Sequence, residues 1–136
     1  MYNLIQFSDL RLALDLDGNA GTVAKVIGAV FGSDAVANRD YVRIGLDLVD
    51  EGMDYETLME YALSAAGATT NESVVETLYS NVVGTPPSQQ EINEFTGLLD
   101  SGAHTFGSLG VFAADLDLNL SNIDFVGLSY SGLEYI

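Results

Sequence analysis

The stretch SVVETLYSNVVGTPPSQQEINEFTGLLDSG, residues 73–102, contains the signals of two consecutive helices. Its first part has apolar residues at the i, i+3, i+4, i+7, i+8 spacing that places them on one helix face. These residues are Val75, Leu78, Tyr79, Val82 and Val83. Gly84 follows at the position where helices commonly stop, and the two prolines after it exclude continuation.

The second part of the stretch begins a new helix. Ser88 and Glu91 have the spacing of a capping box, in which each side chain binds a free backbone N–H of the other residue. Ile92, Phe95, Leu98 and Leu99 follow on one face, and glycine at 102 ends the helix. The stretch therefore predicts two amphipathic helices and an all-α fold.

The same pattern occurs earlier in the chain. VAKVIGAVFG (23–32) matches VVETLYSNVVG (74–84) with an offset of 52, and LVDEG (48–52) matches LLDSG (98–102) with an offset of 50. A third pair of helices, expected to begin at Asp54 and Thr105, matches with an offset of 51. We predict one compact helical domain over residues 1–136, with two pseudo-repeated three-helix units at about 22–65 and 74–115. An N-terminal helix near residues 5–14 and a short segment near 121–128, within a tail at 116–136, are expected to flank them.

The charge of the chain excludes some partners. The 136 residues include 20 acidic and 4 basic side chains, which gives a formal net charge of −16. Five of the 20 acids precede residue 44, so the other 15 lie in a region without any Lys or Arg. Nucleic acids and anionic membrane surfaces require basic patches, so neither is an expected partner.

Cellular location is constrained by what the sequence lacks. There is no Cys, so disulfides and thiolate metal sites are excluded. The stretch MYNLIQFSDLR has neither the basic region nor the apolar run of a signal peptide, and no apolar run is long enough to insert into a membrane. We expect either a cytoplasmic protein or one that is exported without an N-terminal signal peptide.

Two stretches resemble the start of a calcium-binding loop, LDLDGN (14–19) and DLDLN (115–119). Both lack the Gly at position 6 and the bidentate Glu at position 12 of an EF-hand loop. We predict at most an incomplete oxygen site for calcium at each stretch. The candidate ligands are Asp15, Asp17, Asn19, Asp115, Asp117 and Asn119. In the alternative interpretation, the first stretch is a turn before a helix, and the second anchors the chain as it leaves the last helix.

Catalytic chemistry has little support in the sequence. The single histidine, His104, could act with Asp100 as an acid–base pair, or could be an exposed loop residue. There is no nucleophile elbow, phosphate-binding loop or dinucleotide fingerprint. The helical tyrosines are expected to lie in the core or half-buried; they are Tyr41, Tyr55, Tyr61 and Tyr79. We therefore predict that the chain is not an enzyme and needs no cofactor beyond calcium.

Residues 78–115 resemble a helical domain of unknown function found near the C-termini of bacterial RTX-type (repeats-in-toxin), S-layer-like and adhesin-like proteins. The pattern of that domain is an L-Y-x-N-V-L-G helix, a Pro-containing loop, a helix ending in L-x-S-G, and a third helix. The matching residues are Leu78, Tyr79, Asn81, Val82, Gly84, Pro86, Leu99, Ser101 and Gly102. The first unit departs from the pattern, with Ala29, Val30 and Phe31 in place of Asn-Val-Leu and no Pro loop.

The resemblance implies a non-enzymatic C-terminal module of a larger bacterial secreted or cell-surface protein. Proteins of this kind leave the cell by type I secretion, and their export signal is an uncleaved C-terminus poor in Lys and Arg. The implied partners are the type I secretion machinery or other surface-protein domains, with calcium assisting folding outside the cell. The signal is then expected at about residues 115–136. The alternative is a stand-alone binding or self-association module, and the sequence leaves the oligomeric state open.

Overall fold

The protein is mostly helical, in agreement with the prediction of an all-α fold. A computed structural model describes residues 11–13, 16 and 18–135. The helices are α1 (Asn19–Phe31), α2 (Arg39–Asp50), α3 (Tyr55–Ala65), α4 (Asn71–Val83), α5 (Gln89–Asp100), α6 (Phe106–Ala114), α7 (Asp117–Asn122) and α8 (Phe125–Ser131). A short 3-10 helix (Ser33–Ala37) joins α1 to α2, and two short strands are β1 (Arg11–Ala13) and β2 (Leu133–Tyr135).

The capping residues place the helix starts where the sequence predicts them. The side chain of Asn38 accepts hydrogen bonds from the first turn of α2, and Asp54 does the same for α3. Ser88 and Glu91 form the reciprocal capping box of α5. At the other end of a helix, Gly84 ends α4 in the left-handed conformation with φ of +94°, which a side chain would strain.

The predicted N-terminal helix near residues 5–14 is wrong where the structure describes it. Arg11–Ala13 form strand β1, which pairs antiparallel with β2 in the register Arg11 with Tyr135 and Ala13 with Leu133. The rest of the predicted helix lies outside the described residues. The error has a physical cause, because a distant strand supplies the hydrogen-bond partners of β1 and the local apolar pattern carries no information about it.

Helix α1 lies at the centre of the fold. It packs against α2, α3, α4, α6 and α7, and α3 packs against α6. Nine of its 13 residues are buried, so α1 is enclosed on nearly all sides rather than along one stripe. The outer helices are α2, which packs against α1, and α5, which packs against α4, and both are largely exposed.

The C-terminal tail belongs to the core. The sequence predicts one short segment near residues 121–128, whereas the structure has α7, α8 and β2. Helix α7 ends at Asn122, and Asp124 then adopts a left-handed conformation with φ of +53°. Ile123 and Leu133 are 6% and 1% exposed, respectively. Thus the tail contributes buried side chains to the same core as the two groups of three helices.

Candidate functional site

The first predicted calcium stretch lies mostly outside the described part of the chain. Asp15 and Asp17 are not among the described residues. Asn19 is the first residue of α1, and its Nδ2 donates a hydrogen bond to Asp50 Oδ1 at 3.0 Å. Gly18, the residue before it, is the N-cap of α1. The described residues of this stretch therefore form the entry to a helix.

The second predicted stretch does not form a loop around one point. Asp115 is the C-cap of α6, and Asp117 and Asn119 both lie in α7. Because each residue of a helix is rotated by about 100° from the one before it, the side chains of Asp117 and Asn119 point to nearly opposite sides of α7. Asn119 is buried, and its Nδ2 donates to Ala114 O at 2.8 Å and to Lys25 O at 3.2 Å. Within residues 11–13, 16 and 18–135, no group of three or more His, Cys, Asp or Glu side chains is arranged to hold a metal ion.

Asp115 is the acceptor of a small cluster that we name the polar node. Lys25 Nζ lies 3.3 Å from Asp115 Oδ1, and Tyr55 OH donates to the same oxygen at 2.9 Å. The Lys25 ammonium also lies 5.6 Å from the ring centroid of Phe125. Burial, followed by the hydrogen bond to Asp115, raises the pKa of Tyr55 well above its usual value. The polar node thus joins α1, α3, the end of α6 and α8.

His104 does not pair with Asp100 in the predicted way. His104 Nδ1 lies 3.0 Å from Ser108 Oγ, and its ring centroid is 6.2 Å from that of Phe112. Asp100 instead accepts a hydrogen bond from Asn71 Nδ2 at 2.5 Å. The histidine is half-buried at the entry to α6, where it contacts an exposed aromatic side chain.

Two apolar grooves are concave surfaces that the sequence analysis did not predict. The first groove is formed by α1, α2 and α3 and has a volume of about 190 Å³. The second groove is formed by α4, α5 and α6, has a volume of about 100 Å³, and ends at Leu116. Every side chain that lines the second groove is aliphatic or aromatic.

The two grooves use matching positions of the two sequence units. Residues of α1 and α4 match with the offset of 52, and residues of α3 and the α6 region match with the offset of 51. The matched pairs are Val23 and Val75, Val26 and Leu78, Ile27 and Tyr79, Phe31 and Val83, Leu58 and Leu109, Tyr61 and Phe112, Ala62 and Ala113, and Ala65 and Leu116. In each groove the aromatic member of the third helix is half exposed, 51% for Tyr61 and 53% for Phe112.

The second helix of each unit gives the grooves different walls. In the first groove, α2 contributes Tyr41 and Ile44, which are both 41% exposed. Fifty residues later, α5 has Glu91 and Glu94 at these positions. Glu91 Oε2 accepts a hydrogen bond from the hydroxyl of Tyr79, a lining residue of the second groove. This bond lowers the pKa of Glu91 and raises the pKa of Tyr79.

One feature of the sequence indicates the grooves, although it does not belong to any catalytic motif. The sequence predicts the helical tyrosines in the core or half-buried; Tyr55 and Tyr79 are half-buried, and Tyr41 and Tyr61 are 41% and 51% exposed. Tyr61 has its counterpart in another aromatic residue, Phe112. When an aromatic side chain recurs at matched positions outside the buried face of its helix, it indicates a surface groove.

Comparison with known proteins adds no family to these observations. No protein-family model, curated protein or solved structure matches this chain. The resemblance of residues 78–115 to the helical domain of RTX-type proteins therefore stays a prediction. In the described part of the chain, no helix combines the length and the apolar character that crossing a membrane requires.

Proposed function

We propose that this chain is a non-enzymatic helical binding module that holds a polypeptide partner through its apolar grooves. The observation that supports this function is the pair of grooves at matching positions, each with a half-exposed aromatic side chain. Hydrophobic grooves between helices are a recurring site at which proteins take up the apolar side chains of a peptide or helix. Their volumes of about 190 and 100 Å³ are below the range of roughly 300–1,000 Å³ for small-molecule pockets, so side-chain anchors of a peptide or helix are the better fit.

The same positional matches support an internal duplication as part of this proposal. Each unit contains three helices in the same order, α1–α3 and α4–α6, and the first helix of each packs against its second and third helices. A duplicated unit would present the same binding geometry twice. Divergence of the groove walls would then let the two copies select different partners.

For the parent protein, we propose a bacterial secreted or cell-surface protein that leaves the cell by type I secretion. The resemblance of residues 78–115 and the absence of Lys and Arg after residue 43 support this assignment. Calcium would assist folding outside the cell by reducing the repulsion among the acidic side chains. For a calcium site, Asp15 and Asp17 are the better candidates, because Asp115 already accepts hydrogen bonds from Lys25 and Tyr55.

Groove binding can be tested with an environment-sensitive apolar dye. We expect the double variant Tyr61→Ser/Phe112→Ser to lose most of the dye fluorescence of the native protein, because both half-exposed groove aromatics are removed. Tyr130→Ser is the matched control, since Tyr130 is 87% exposed and lines neither groove. Equal fluorescence from the double variant and the native chain, with unchanged circular dichroism, would contradict groove binding.

Export can be tested by sufficiency, because deletion of the tail would also remove the buried Ile123 and Leu133. Residues 116–136 are fused to the C-terminus of a reporter in a Gram-negative cell that carries a type I transporter. We expect this fusion in the medium, and we expect the matched fusion with residues 22–115 to stay in the cell. Retention of both fusions would refute an export signal in the tail and would leave the binding function untouched.

A further inference from the structure

We infer, on the basis of the proposed binding function, that the second groove takes a basic amphipathic helix. Such a partner has one apolar face flanked by Lys or Arg. The groove offers it an apolar floor between three helices, with Phe112 and Val83 exposed by 53% and 42% at its surface. Helix-in-groove recognition uses this arrangement, in which apolar anchors at i, i+3, i+4 and i+7 enter a hydrophobic groove.

The acidic residues around the second groove favour a partner helix that has Lys or Arg beside its apolar face. Glu76 follows the lining residue Val75, and Glu94 precedes the lining residue Phe95; both glutamates are exposed. Glu91 is bonded to the lining Tyr79. Sequence positions 44–136 contain no Lys or Arg at all. Acidic residues around an apolar site attract cationic partners and repel anionic ones, which sets specificity and association rate.

One positive charge approaches the groove from the other unit. Lys25 binds Asp115, the neighbour of the lining residue Leu116, with Nζ 3.3 Å from Oδ1. This ion pair involves Asp115 and leaves the acidic residues of α4 and α5, among them Glu76 and Glu94, without a basic partner in their own helices. The first groove differs, because α2 gives it the apolar Tyr41 and Ile44, with Arg43 between them in sequence. Arg43 pairs with Asp47 and so offsets part of the acidic charge beside the first groove, whereas α4 and α5 contain no basic residue. We therefore expect the basic partner to favour the second groove.

Two other occupants fit the charge less well. A second copy of the chain carries the same net charge of −16, so its approach is opposed by long-range repulsion. Residues 1–10, MYNLIQFSDL, are apolar enough to enter a groove but contain Asp9 and no Lys or Arg. Residues 1–10 bring no positive charge, and the four basic side chains of a second copy arrive together with 20 acidic ones.

The test uses the full chain and fluorescently labelled synthetic helices. The first peptide has Leu at i, i+3, i+4 and i+7 with Lys at the flanking positions. The second and third have Glu or Gln in place of Lys. The fourth has the composition of the Lys peptide in scrambled order. A fifth peptide is residues 1–10. Anisotropy titrations at constant ionic strength measure the affinities, and sedimentation measures the oligomeric state.

We expect the Lys amphipathic peptide to bind at least about tenfold more tightly than the Glu and scrambled peptides, with an affinity that falls as salt rises. Phe112→Ser should weaken binding by about tenfold or more, as expected for a central aromatic anchor. The matched change in the first groove, Tyr61→Ser, should leave the affinity within about twofold. Glu76→Gln/Glu94→Gln, a pair of exposed changes that spares the fold, should weaken binding several-fold and reduce its salt dependence.

The remaining outcomes overturn the inference in distinguishable ways. Equal binding of the scrambled Lys peptide, or binding that survives Phe112→Ser, means that the acidic surface attracts any cation. If the Gln or Glu peptide binds more tightly than the Lys peptide, and Tyr61→Ser abolishes that binding, the partner lies in the first groove and the proposed binding function stands. If the 1–10 peptide binds and Phe112→Ser abolishes its binding, residues 1–10 occupy the groove instead. If the chain dimerises and Phe112→Ser abolishes the dimer, the occupant is a second copy of the chain. Binding of no peptide, together with no groove-dependent dye signal, rejects both the inference and the proposed function.

Discussion

Asn119 connects three helices through one buried amide. It lies in α7, and its Nδ2 donates to Ala114 O at the end of α6 and to Lys25 O in α1. Ala114 belongs to the last turn of its helix, where carbonyl oxygens lack intrahelical partners. The side-chain oxygen of Asn119 has no hydrogen-bond partner in the described structure, so the donor side carries the stabilising interactions.

We expect Asn119→Ala to lower the free energy of unfolding by about 1–3 kcal/mol, because the carbonyl of Ala114 loses its buried donor. Asn122→Ala is the matched control, since Asn122 Nδ2 donates to Val82 O at 2.8 Å from an exposed position. Its cost should stay below about 1 kcal/mol, because water can replace the amide there. Urea denaturation measures both, and equal costs would show that the burial of Asn119 is unimportant.

Tyr55 gives the polar node a dependence on pH. Its pKa in the folded protein is raised above the usual value of 10.0, first by burial and then by the hydrogen bond to Asp115. The neutral phenol is thus favoured by folding, so its contribution to stability is complete below pH 10 and is lost as pH rises further. We expect Tyr55→Phe to cost about 0.5–1.5 kcal/mol near pH 7 and the difference from the native protein to shrink above pH 10. Chemical denaturation from pH 7 to 11 tests this, and a difference that grows with pH would contradict the assignment.

At the scale of elements, α1 and α7 approach closely because α1 has a glycine at their contact. A Cβ built on Gly28 would lie 2.4 Å from Ile123 Cγ2 and 3.1 Å from Asn119 Oδ1. Ile123 is β-branched and buried, so it cannot move aside easily. The glycine is therefore a requirement for packing the tail onto the centre of the fold.

We expect Gly28→Ala to destabilise the protein by about 1 kcal/mol or more, because overpacking typically costs about 1–3 kcal/mol and exceeds the gain in helix propensity. Gly97→Ala in α5 is the matched change, as a Cβ there would meet nothing within 4 Å. That variant should be stabilised by about 0.5–1 kcal/mol. Thermal and urea unfolding compare the two, and stabilisation by both substitutions would mean that α7 does not sit against Gly28.

Elements whose ends depend on local interactions were predictable from the sequence, whereas elements that depend on distant contacts were not. The starts of α3, α5 and α6 were predicted because Asp54, Ser88 and Thr105 cap their own neighbouring backbone, which is a local interaction. Strand β1 was not, because its partner is more than a hundred residues away. The burial of the tail depends likewise on contacts between α7 and α1 that no local spacing reveals.

The candidate site was predictable only in part for the same reason. The apolar faces of the helices were correct in part: Val75 and Leu78 are buried as expected, whereas Val83 and Leu98 are 42% and 36% exposed. Which apolar side chains stay exposed depends on how three helices meet, so the exposure of Phe112 could not be read from α6 alone. Asn119 was proposed as a ligand from its spacing to two aspartates, whereas the structure places it inside the core.

For the whole molecule, the net charge of −16 makes stability sensitive to cations. We expect sodium chloride to raise the melting temperature by screening, and millimolar calcium to raise it further at the same ionic strength. Asp15→Ala/Asp17→Ala should remove the calcium-specific part, whereas Asp115→Ala/Asp117→Ala should leave it, because Asp115 is held in the polar node. Differential scanning calorimetry makes the comparison. If sodium chloride reproduces the whole effect of calcium, there is no calcium site.

The pairing of β1 with β2 also determines how the molecule would respond to tension. Arg11 lies opposite Tyr135, so two positions far apart in the sequence are held side by side at one end of an antiparallel pair. A pulling force applied through these two points would open the strands like a zipper, one hydrogen-bonded pair at a time, instead of shearing them together. Strands opened in this way yield at a lower force than sheared strands, because each hydrogen-bonded pair carries the load in turn.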